Sequence, residues 1–540
     1  MPQGSDDSAA GSAGRGLLVT TGLLALLVTG WLAFVAWRRE GNLAWDDADY
    51  LRRALHNVSR AEARGSLGLV PALIGLTMKE RPKPPWLVAW IEVGRVGLGR
   101  RDDLRPLIVF ATALPFGLTL LGVIVVARWL GGAPAALMAV LVVCASPMAL
   151  AFGTKVMVET FMALWCLMAL AASAWLLQSP TPRRAAVLGL ALGLALLTKL
   201  TALLLLPLPL LGLVVALRRR HRLDRHAWLR LGLALAIPAM ALAGPWYARN
   251  GRAAVEFAAW SSRYQEVAED RSDVLPASDR LAALAGQLAG WPMSVLFGCL
   301  VIVGCVEATR RYRLRSSPQP DDPAGDFVRL SLLGVLGGTL VLLRTAYFDP
   351  RFLLPIWASV AVSIGVARSR FSTQTLTGPL LRSARIVAFW SLVGMGLATS
   401  AAALHREPRN STFWSTRRLI DELVARYQVA TIGNVGNCAD WNVCKTGLIN
   451  ELRPGARDCF VLLDVSQWSP EEVTRRLDRL DAVVVLDGSP LSEEVRASAP
   501  GLNRGYDPAR ARLRQGDVFT PVQVAATQGL PNLSVYIRRR

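Results

Sequence analysis

Charged side chains, lysine and histidine are all scarce in this chain. Only 19% of its 540 residues are Asp, Glu, Lys or Arg, whereas 52% are hydrophobic, and this balance excludes a disordered or collagen-like protein. The seven cysteines are too few for a small disulfide-rich protein. The four histidines lack zinc-hydrolase spacing, and no Gly-x-Ser-x-Gly motif is present. Only five of the 60 basic residues are Lys, so a Lys inside an apolar segment needs a reason.

The apolar residues lie in long runs, and this pattern predicts an α-helical polytopic membrane protein. A helix needs about 20 residues to cross a hydrocarbon core of roughly 30 Å. The windows lie near 16–37, 104–127, 133–152, 156–177, 185–198, 201–217, 227–247, 287–307, 326–346, 352–367 and 385–404. They predict about eleven transmembrane helices. The segment 185–217 is interpreted as two short spans with a hinge at 198–201. The formal net charge of +20 is therefore assigned to membrane loops rather than to a nucleic-acid surface.

The charge of the short connectors predicts the orientation. The Arg-rich connectors fall on one side under this count, and the positive-inside rule makes that side cytoplasmic. Residues 1–15 then form a cytoplasmic tail, and 16–404 form a transmembrane domain with a large outer loop at 38–103. Alternating helical and strand patterns predict an extracytoplasmic α/β domain over 405–540. Its three cysteines leave the disulfide pairing open: Cys438, Cys444 and Cys459.

An acidic segment begins the first outer loop. Asp46, Asp47 and Asp49 precede Tyr50 at the start of an amphipathic pattern, as expected at a helix N-terminus near the membrane surface. One interpretation is a solvated acidic helix cap. The other is a general base or a metal ligand at the lipid–water boundary. Farther along the loop, Lys83-Pro84-Pro85-Trp86 fits a rigid loop held against lipid headgroups.

A few ionisable residues mark the outer ends of the predicted spans. Lys155 and Glu159 stand one helical turn apart, Lys199 lies at the predicted hinge, and Arg351 follows a short outer connector. Burying such groups is costly, so each is a candidate site residue. Cations together with carboxylates on one face suit an anionic lipid headgroup. Gly189 and Gly193, by contrast, are interpreted as helix packing.

Taken in order, these segments resemble the GT-C membrane glycosyltransferases, in the branch of protein O-mannosyltransferases and aminoarabinose transferases. The segments that carry the resemblance are Asp46-Asp47-Ala48-Asp49-Tyr50, Lys83-Pro84-Pro85, Asp103-Leu104-Arg105, Thr198-Lys199-Leu200 and Arg351-Phe352-Leu353-Leu354-Pro355. Asp47, Lys83 and Leu200 depart from the Glu, His and Gly that the family usually has. The resemblance covers roughly residues 16–404.

The resemblance implies an inverting transfer of a sugar from a polyprenyl-phosphate carrier to an acceptor hydroxyl at the outer face of the cytoplasmic membrane. It implies a catalytic group of Asp46, Asp47 and Asp103, with Asp46 as the general base or a metal-assisted activator. The implied substrate-binding residues are Tyr50, Lys83, Glu159, Lys199 and Arg351.

The implied partners are the bilayer, the lipid-linked donor and a protein, lipid or glycan acceptor. A divalent cation such as Mg²⁺ or Mn²⁺ is compatible with this reading, whereas a nucleotide cofactor and nucleic acid are not expected. A multi-span transporter and a non-catalytic envelope scaffold remain the alternatives. A transporter should place polar groups near mid-membrane, whereas the ionisable groups here are predicted at one surface.

Overall fold

The computed structural model describes most of the membrane region and part of the C-terminal region. The described residues are 6–38, 43, 45–64, 68–79, 83–98, 103–268, 322–344, 350–371, 391, 394–398, 412–435, 448, 461–464, 469–486, 506–524 and 533–539. The predicted spans 287–307 and 385–404 fall wholly or largely outside them, as do Cys438, Cys444 and Cys459.

The membrane region is helical throughout its described part. Its first helix is α1 (Asp6–Arg38). The predicted outer loop contains α2 (Trp45–Glu62), α3 (Leu69–Thr77) and α4 (Trp86–Leu98). The bundle continues with α5 (Arg105–Cys144), α6 (Pro147–Phe152), α7 (Glu159–Gln178), α8 (Pro182–Thr198), α9 (Ala202–Leu205), α10 (Pro207–Arg220) and α11 (Arg225–Ala268). After the gap come α12 (Pro323–Arg344), a 3₁₀ turn (Pro350–Leu353) and α13 (Leu354–Phe371).

Six described helices are long and apolar enough to cross a membrane. The prediction of a multi-span membrane protein is therefore confirmed, while the count of about eleven stays a prediction. Helix α5 accounts for two of the predicted spans, because Gly132 interrupts its 40 residues with a φ of 77° that L-residues rarely adopt. Helices α8 and α10 are shorter than 18 residues.

The predicted hinge at 198–201 is present. Helix α8 ends at Thr198, and Lys199 has extended backbone angles (φ −160°, ψ 141°) before the short helix α9. Pro207 then occupies the first position of α10, where its missing N–H costs no helical hydrogen bond. The chain therefore turns at Lys199 and leaves this residue outside a regular helix.

Arginine contacts identify the end of the bundle opposite Lys199. Arg220, the last residue of α10, makes a bidentate pair with Asp326 in the first turn of α12. The Arg184 guanidinium, near the start of α8, donates to the Trp175 carbonyl near the end of α7 at 2.6 Å. These Arg-rich helix ends therefore gather at one end, as the connector pattern predicts for the cytoplasmic side.

Two glycines let α8 approach α11 closely. An added Cβ at Gly189 would lie 2.1 Å from the Leu235 carbonyl oxygen, and one at Gly193 would lie 3.2 Å from the Ala239 backbone. Close backbone contact through small residues four apart is a common mode of helix association in membranes. The interpretation of these glycines as packing residues is therefore confirmed.

The described part of the C-terminal region contains a mixed five-stranded sheet with accompanying helices, while the domain bounds 405–540 stay a prediction. Its elements are α14 (Thr412–Tyr427), β1 (Thr431–Val435), β2 (Val461–Asp464), α15 (Pro470–Arg476), β3 (Ala482–Leu486), α16 (Tyr506–Arg514), β4 (Phe519–Val522) and β5 (Leu533–Arg538). The strand order is β2-β1-β3-β5-β4. Strand β1 is parallel to β2 and β3, whereas β5 is antiparallel to β3 and β4.

The two faces of this sheet belong to different apolar clusters. One cluster joins Val483 and Val485 of β3 to buried residues of α15 and α16, such as Val473 and Leu513. The other cluster contains buried residues from β1, β3, β5 and α14, and it also contains buried residues from α2, α4, α5 and α7. The C-terminal sheet and the helices of the first loop thus share one core, which we call the shared core. They therefore lie on the same side of the bundle.

Candidate active site

Three elements bring Glu159, Lys199 and Arg351 together around one aromatic ring. The Lys199 Nζ lies 2.6 Å from Glu159 Oε1 at the first position of α7. The same Nζ lies 4.7 Å from the centre of the Phe352 ring, and the Arg351 guanidinium lies 5.5 Å from that ring. We call these four residues the cation cluster. Lys199 follows Glu159 by 40 residues and Arg351 follows Lys199 by 152, so the fold assembles the cluster.

The two partners of the ion pair differ in exposure. The Glu159 side chain is 1% exposed, whereas that of Lys199 is 21% exposed. The second Glu159 oxygen, Oε2, is buried and has no hydrogen-bond partner among the residues that the structure describes. A buried carboxylate depends on such a cation, because an uncompensated charge in the interior is costly. Lys199 is thus anchored from within and has part of its surface open to a ligand.

The acidic segment of the first loop contacts the chain just before the cation cluster. The Asp47 carboxylate is 3% exposed and accepts a hydrogen bond from the backbone N–H of Val156. Val156 lies three residues before Glu159. Asp47 therefore fixes the start of α2 beside the start of α7. The side chain of Asp46, the predicted base, lies outside the described residues, although its backbone belongs to α2.

Asp49 is surrounded by cations. Its carboxylate pairs with Arg53 at 2.9 Å, Arg52 at 3.2 Å and Lys83 at 3.3 Å. Burial by itself would raise the pKa of Asp49, but the positive charges of Lys83, Arg53 and Arg52 outweigh it and lower the pKa to about 2. The Lys83 Nζ also lies 4.7 Å from the centre of the Tyr50 ring. Tyr50 and Lys83, both predicted to bind substrate, are thus neighbours of Asp49.

Another buried carboxylate, that of Glu92, was not predicted from the sequence. It is 3% exposed in α4 and accepts hydrogen bonds from Asn57 Nδ2 at 2.9 Å and from Thr77 Oγ1 at 2.6 Å. These bonds connect α2, α3 and α4. The one signal in the sequence was an acidic residue inside the apolar run 86–98, which has no other carboxylate.

Asp103 makes a local contact at the start of α5. Its Oδ1 accepts hydrogen bonds from the Arg105 backbone N–H at 3.0 Å and from Arg105 Nε at 2.9 Å. The Arg105 guanidinium in turn lies 5.1 Å from the Trp37 ring at the end of α1. This arrangement fixes the junction between α1 and α5, and the catalytic role of Asp103 stays a prediction.

The described carboxylates do not form a metal site. No group of three His, Cys, Asp or Glu side chains comes together among the side chains that the structure describes. The Asp49 carboxylate already faces three cations, and Glu159 faces Lys199, so neither environment suits a divalent cation. The Asp46 side chain lies outside the described residues, so a metal-assisted role for Asp46 stays a prediction.

Comparisons with known proteins agree with this architecture. Residues 83–245 match the family model described as dolichyl-phosphate-mannose-protein mannosyltransferase. ArnT from Cupriavidus metallidurans, bound to undecaprenyl phosphate, superposes with a TM-score of 0.59 at 15% identity, covering 95% of this chain and 97% of that one. This chain has the ArnT fold.

The apo state of ArnT gives the same result: the TM-score is 0.59 at 16% identity, and the match covers 97% of this chain and 98% of ArnT. The oligosaccharyltransferase AglB from Archaeoglobus fulgidus is less similar: the TM-score is 0.47 at 13% identity, and the match covers 86% of this chain and 69% of AglB. By sequence, no curated protein matches the chain. The match to ArnT confirms the fold class that the motifs implied, and it extends over the C-terminal region that the motifs did not cover.

Proposed function

We propose that this protein is an inverting glycosyltransferase that moves a sugar from a polyprenyl-phosphate carrier to an acceptor hydroxyl. The cation cluster is the observation that carries the proposal. It presents Lys199 and Arg351 at one end of the bundle, beside the acidic first loop. An anionic lipid phosphate suits such a pair, because cations held in a partly dehydrated site stabilise developing negative charge.

The family model and the ArnT fold support the same chemistry. The family description includes a dolichyl-phosphate sugar, and one ArnT structure contains undecaprenyl phosphate. We propose that the site and the C-terminal region face the extracytoplasmic side of the inner membrane. The Arg-rich helix ends at the opposite end of the bundle support this orientation.

The proposed step is a single displacement. The acceptor hydroxyl oxygen attacks the anomeric carbon, and the bond from that carbon to the phosphate oxygen breaks. The lipid phosphate leaves with the electron pair, next to Lys199 and Arg351, and the hydroxyl proton passes to Asp46 as general base. Inversion follows from attack on the face opposite the leaving group.

The distribution of buried charge disfavours a transporter. Five acidic residues are buried among those that the structure describes: Asp47, Asp49, Glu92, Glu159 and Asp326. Three belong to the helices of the first loop, and the other two lie in the first turn of a membrane helix. A transporter pathway would be expected to place such groups near the bilayer midplane.

The test is donor consumption by purified protein in lipid, with a panel of labelled polyprenyl-phosphate sugars and the native membrane acceptors. We expect the wild type to consume one donor and Asp46→Asn to consume none, because the amide cannot accept the proton. Asp224→Asn is the matched control, since Asp224 is an exposed carboxylate at the start of α11, at the opposite end of the bundle. Equal consumption by the wild type and Asp46→Asn would exclude Asp46 as the base. A wild type that consumes no donor would favour the transporter or scaffold alternative.

A further inference from the structure

The ion pair between Glu159 and Lys199 affects how tightly the proposed site binds the lipid-linked donor and the spent lipid phosphate. A phosphate-binding site made only to hold an anion would leave its cations without a competing carboxylate. Here Glu159 lies 2.6 Å from Lys199, and it is almost completely buried behind that cation. The carboxylate is therefore a permanent part of the site, and a ligand would contact Lys199 from the open side.

The charge of the lipid changes during the proposed reaction. The donor is a phosphodiester with one negative charge. The spent lipid phosphate is a monoester, and such groups carry about −1.5 to −2 at pH 7. A strongly cationic site would hold the spent lipid more tightly than the donor, and product release would become slow.

The carboxylate of the cation cluster reduces this preference for the spent lipid. Lys199 and Arg351 are cationic, and Glu159 is anionic, so these three side chains sum to one positive charge. We propose that Glu159 lowers the charge of this site by one unit and thereby limits how much more tightly the site holds the spent lipid than the singly charged donor. This inference rests on the proposed function. It makes Glu159 a positioning and charge-setting residue, whereas the family resemblance implied direct substrate binding.

The inference is tested by the ratio between the inhibition constant of the sugar-free polyprenyl phosphate and the KM of the donor. Glu159→Gln keeps the shape of the side chain and removes its charge. One added positive charge a few ångströms from the ligand, at an effective dielectric constant near 20, tightens the binding of a singly negative ligand by roughly tenfold or more. The same added charge tightens the binding of a more highly charged anion by a larger factor. We expect the ratio to fall by about tenfold in Glu159→Gln, with kcat lowered by slow release.

Two further variants separate charge from shape. Glu159→Asp keeps the charge with a shorter side chain, so its ratio should stay near that of the wild type. The double variant Glu159→Gln/Lys199→Gln restores a sum of one positive charge, and its ratio should return towards the wild-type value even though both groups are lost. It also avoids an unpaired charge in the interior, so it remains informative if Glu159→Gln does not fold.

The outcomes are distinguishable. An active wild type whose ratio is unchanged in Glu159→Gln overturns the inference and leaves the proposed function standing. A ratio that falls in Glu159→Asp as much as in Glu159→Gln shows that shape decides, and it also overturns the inference. A wild type that transfers no sugar from any donor removes the proposed function itself.

Discussion

The packing of α8 on α11 predicts that adding a single methyl group at Gly189 will disturb both stability and the candidate site. An alanine Cβ at this position would lie 2.1 Å from the Leu235 carbonyl oxygen. An ordinary carbon–oxygen contact is more than 1 Å longer, so the two helices must separate by about that amount. Overpacking of this kind costs about 1–3 kcal/mol.

The displacement would be transmitted to the cation cluster because Lys199 directly follows α8. Its ammonium group lies 2.6 Å from Glu159, a distance that a shift of about 1 Å would disrupt. Misplacement of a catalytic or binding group by about 1 Å can reduce a rate by roughly 100-fold. We therefore expect Gly189→Ala to lower the unfolding temperature and to reduce donor consumption.

Gly232→Ala is the matched control. Gly232 belongs to α11, the partner helix, and an added Cβ there meets nothing within 4 Å. Alanine is a better helix former than glycine by up to about 1 kcal/mol, so this variant should be as stable as the wild type or more stable. Thermal unfolding of the three proteins in the same detergent is the measurement. If Gly189→Ala unfolds at the same temperature as Gly232→Ala, the close approach of α8 and α11 is refuted.

Three other substitutions test buried charges. Because the pKa of Asp49 falls from 3.8 to about 2 on folding, its ionised carboxylate stabilises the folded protein by about 2 kcal/mol at any pH above 3.8. This contribution is lost as the pH falls from 3.8 towards 2. The difference in unfolding free energy between the wild type and Asp49→Asn should therefore close over that pH range. In Glu92→Gln the new amide group would face one of the two donors that bond the carboxylate, at a cost of about 1–3 kcal/mol, and we expect faster proteolysis of the first loop. Glu256→Gln, which removes an exposed ion pair, should not change the proteolysis rate. Asp326→Ala should destabilise the protein by about 1–3 kcal/mol in thermal unfolding, because the partly exposed Arg220 loses the hydrogen bonds of its bidentate partner; an unchanged melting temperature would contradict this.

Features determined by local sequence could be predicted. The helix break at Lys199 follows from a polar dipeptide inside an apolar run and from Pro207 and Pro209, which disfavour a continuous helix. The strands β1, β2 and β3 follow from short apolar runs between turn residues. These patterns act over a few residues, so inspection of the sequence is sufficient.

Features determined by tertiary contacts could not be predicted. Glu159 has a possible partner one turn away at Lys155, yet the structure pairs it with Lys199, 40 residues later. Glu92 resembles an isolated acidic residue until α2 and α3 supply its hydrogen-bond donors. The roles assigned to Asp46 and Asp103 stay predictions, because they depend on a bound substrate.

The shared core also has a consequence for biosynthesis. The helices of the first loop are made early, whereas Leu419 and Ile420 of α14, which complete the same core, follow about 320 residues later. At roughly 5–20 residues per second, the apolar face of the first loop waits on the order of 15–65 s for its partner. During that interval the nascent protein exposes a surface on which a chaperone or a quality-control protease would act. Late truncations of the chain should therefore be cleared from the membrane rather than accumulate as a bundle without its C-terminal sheet.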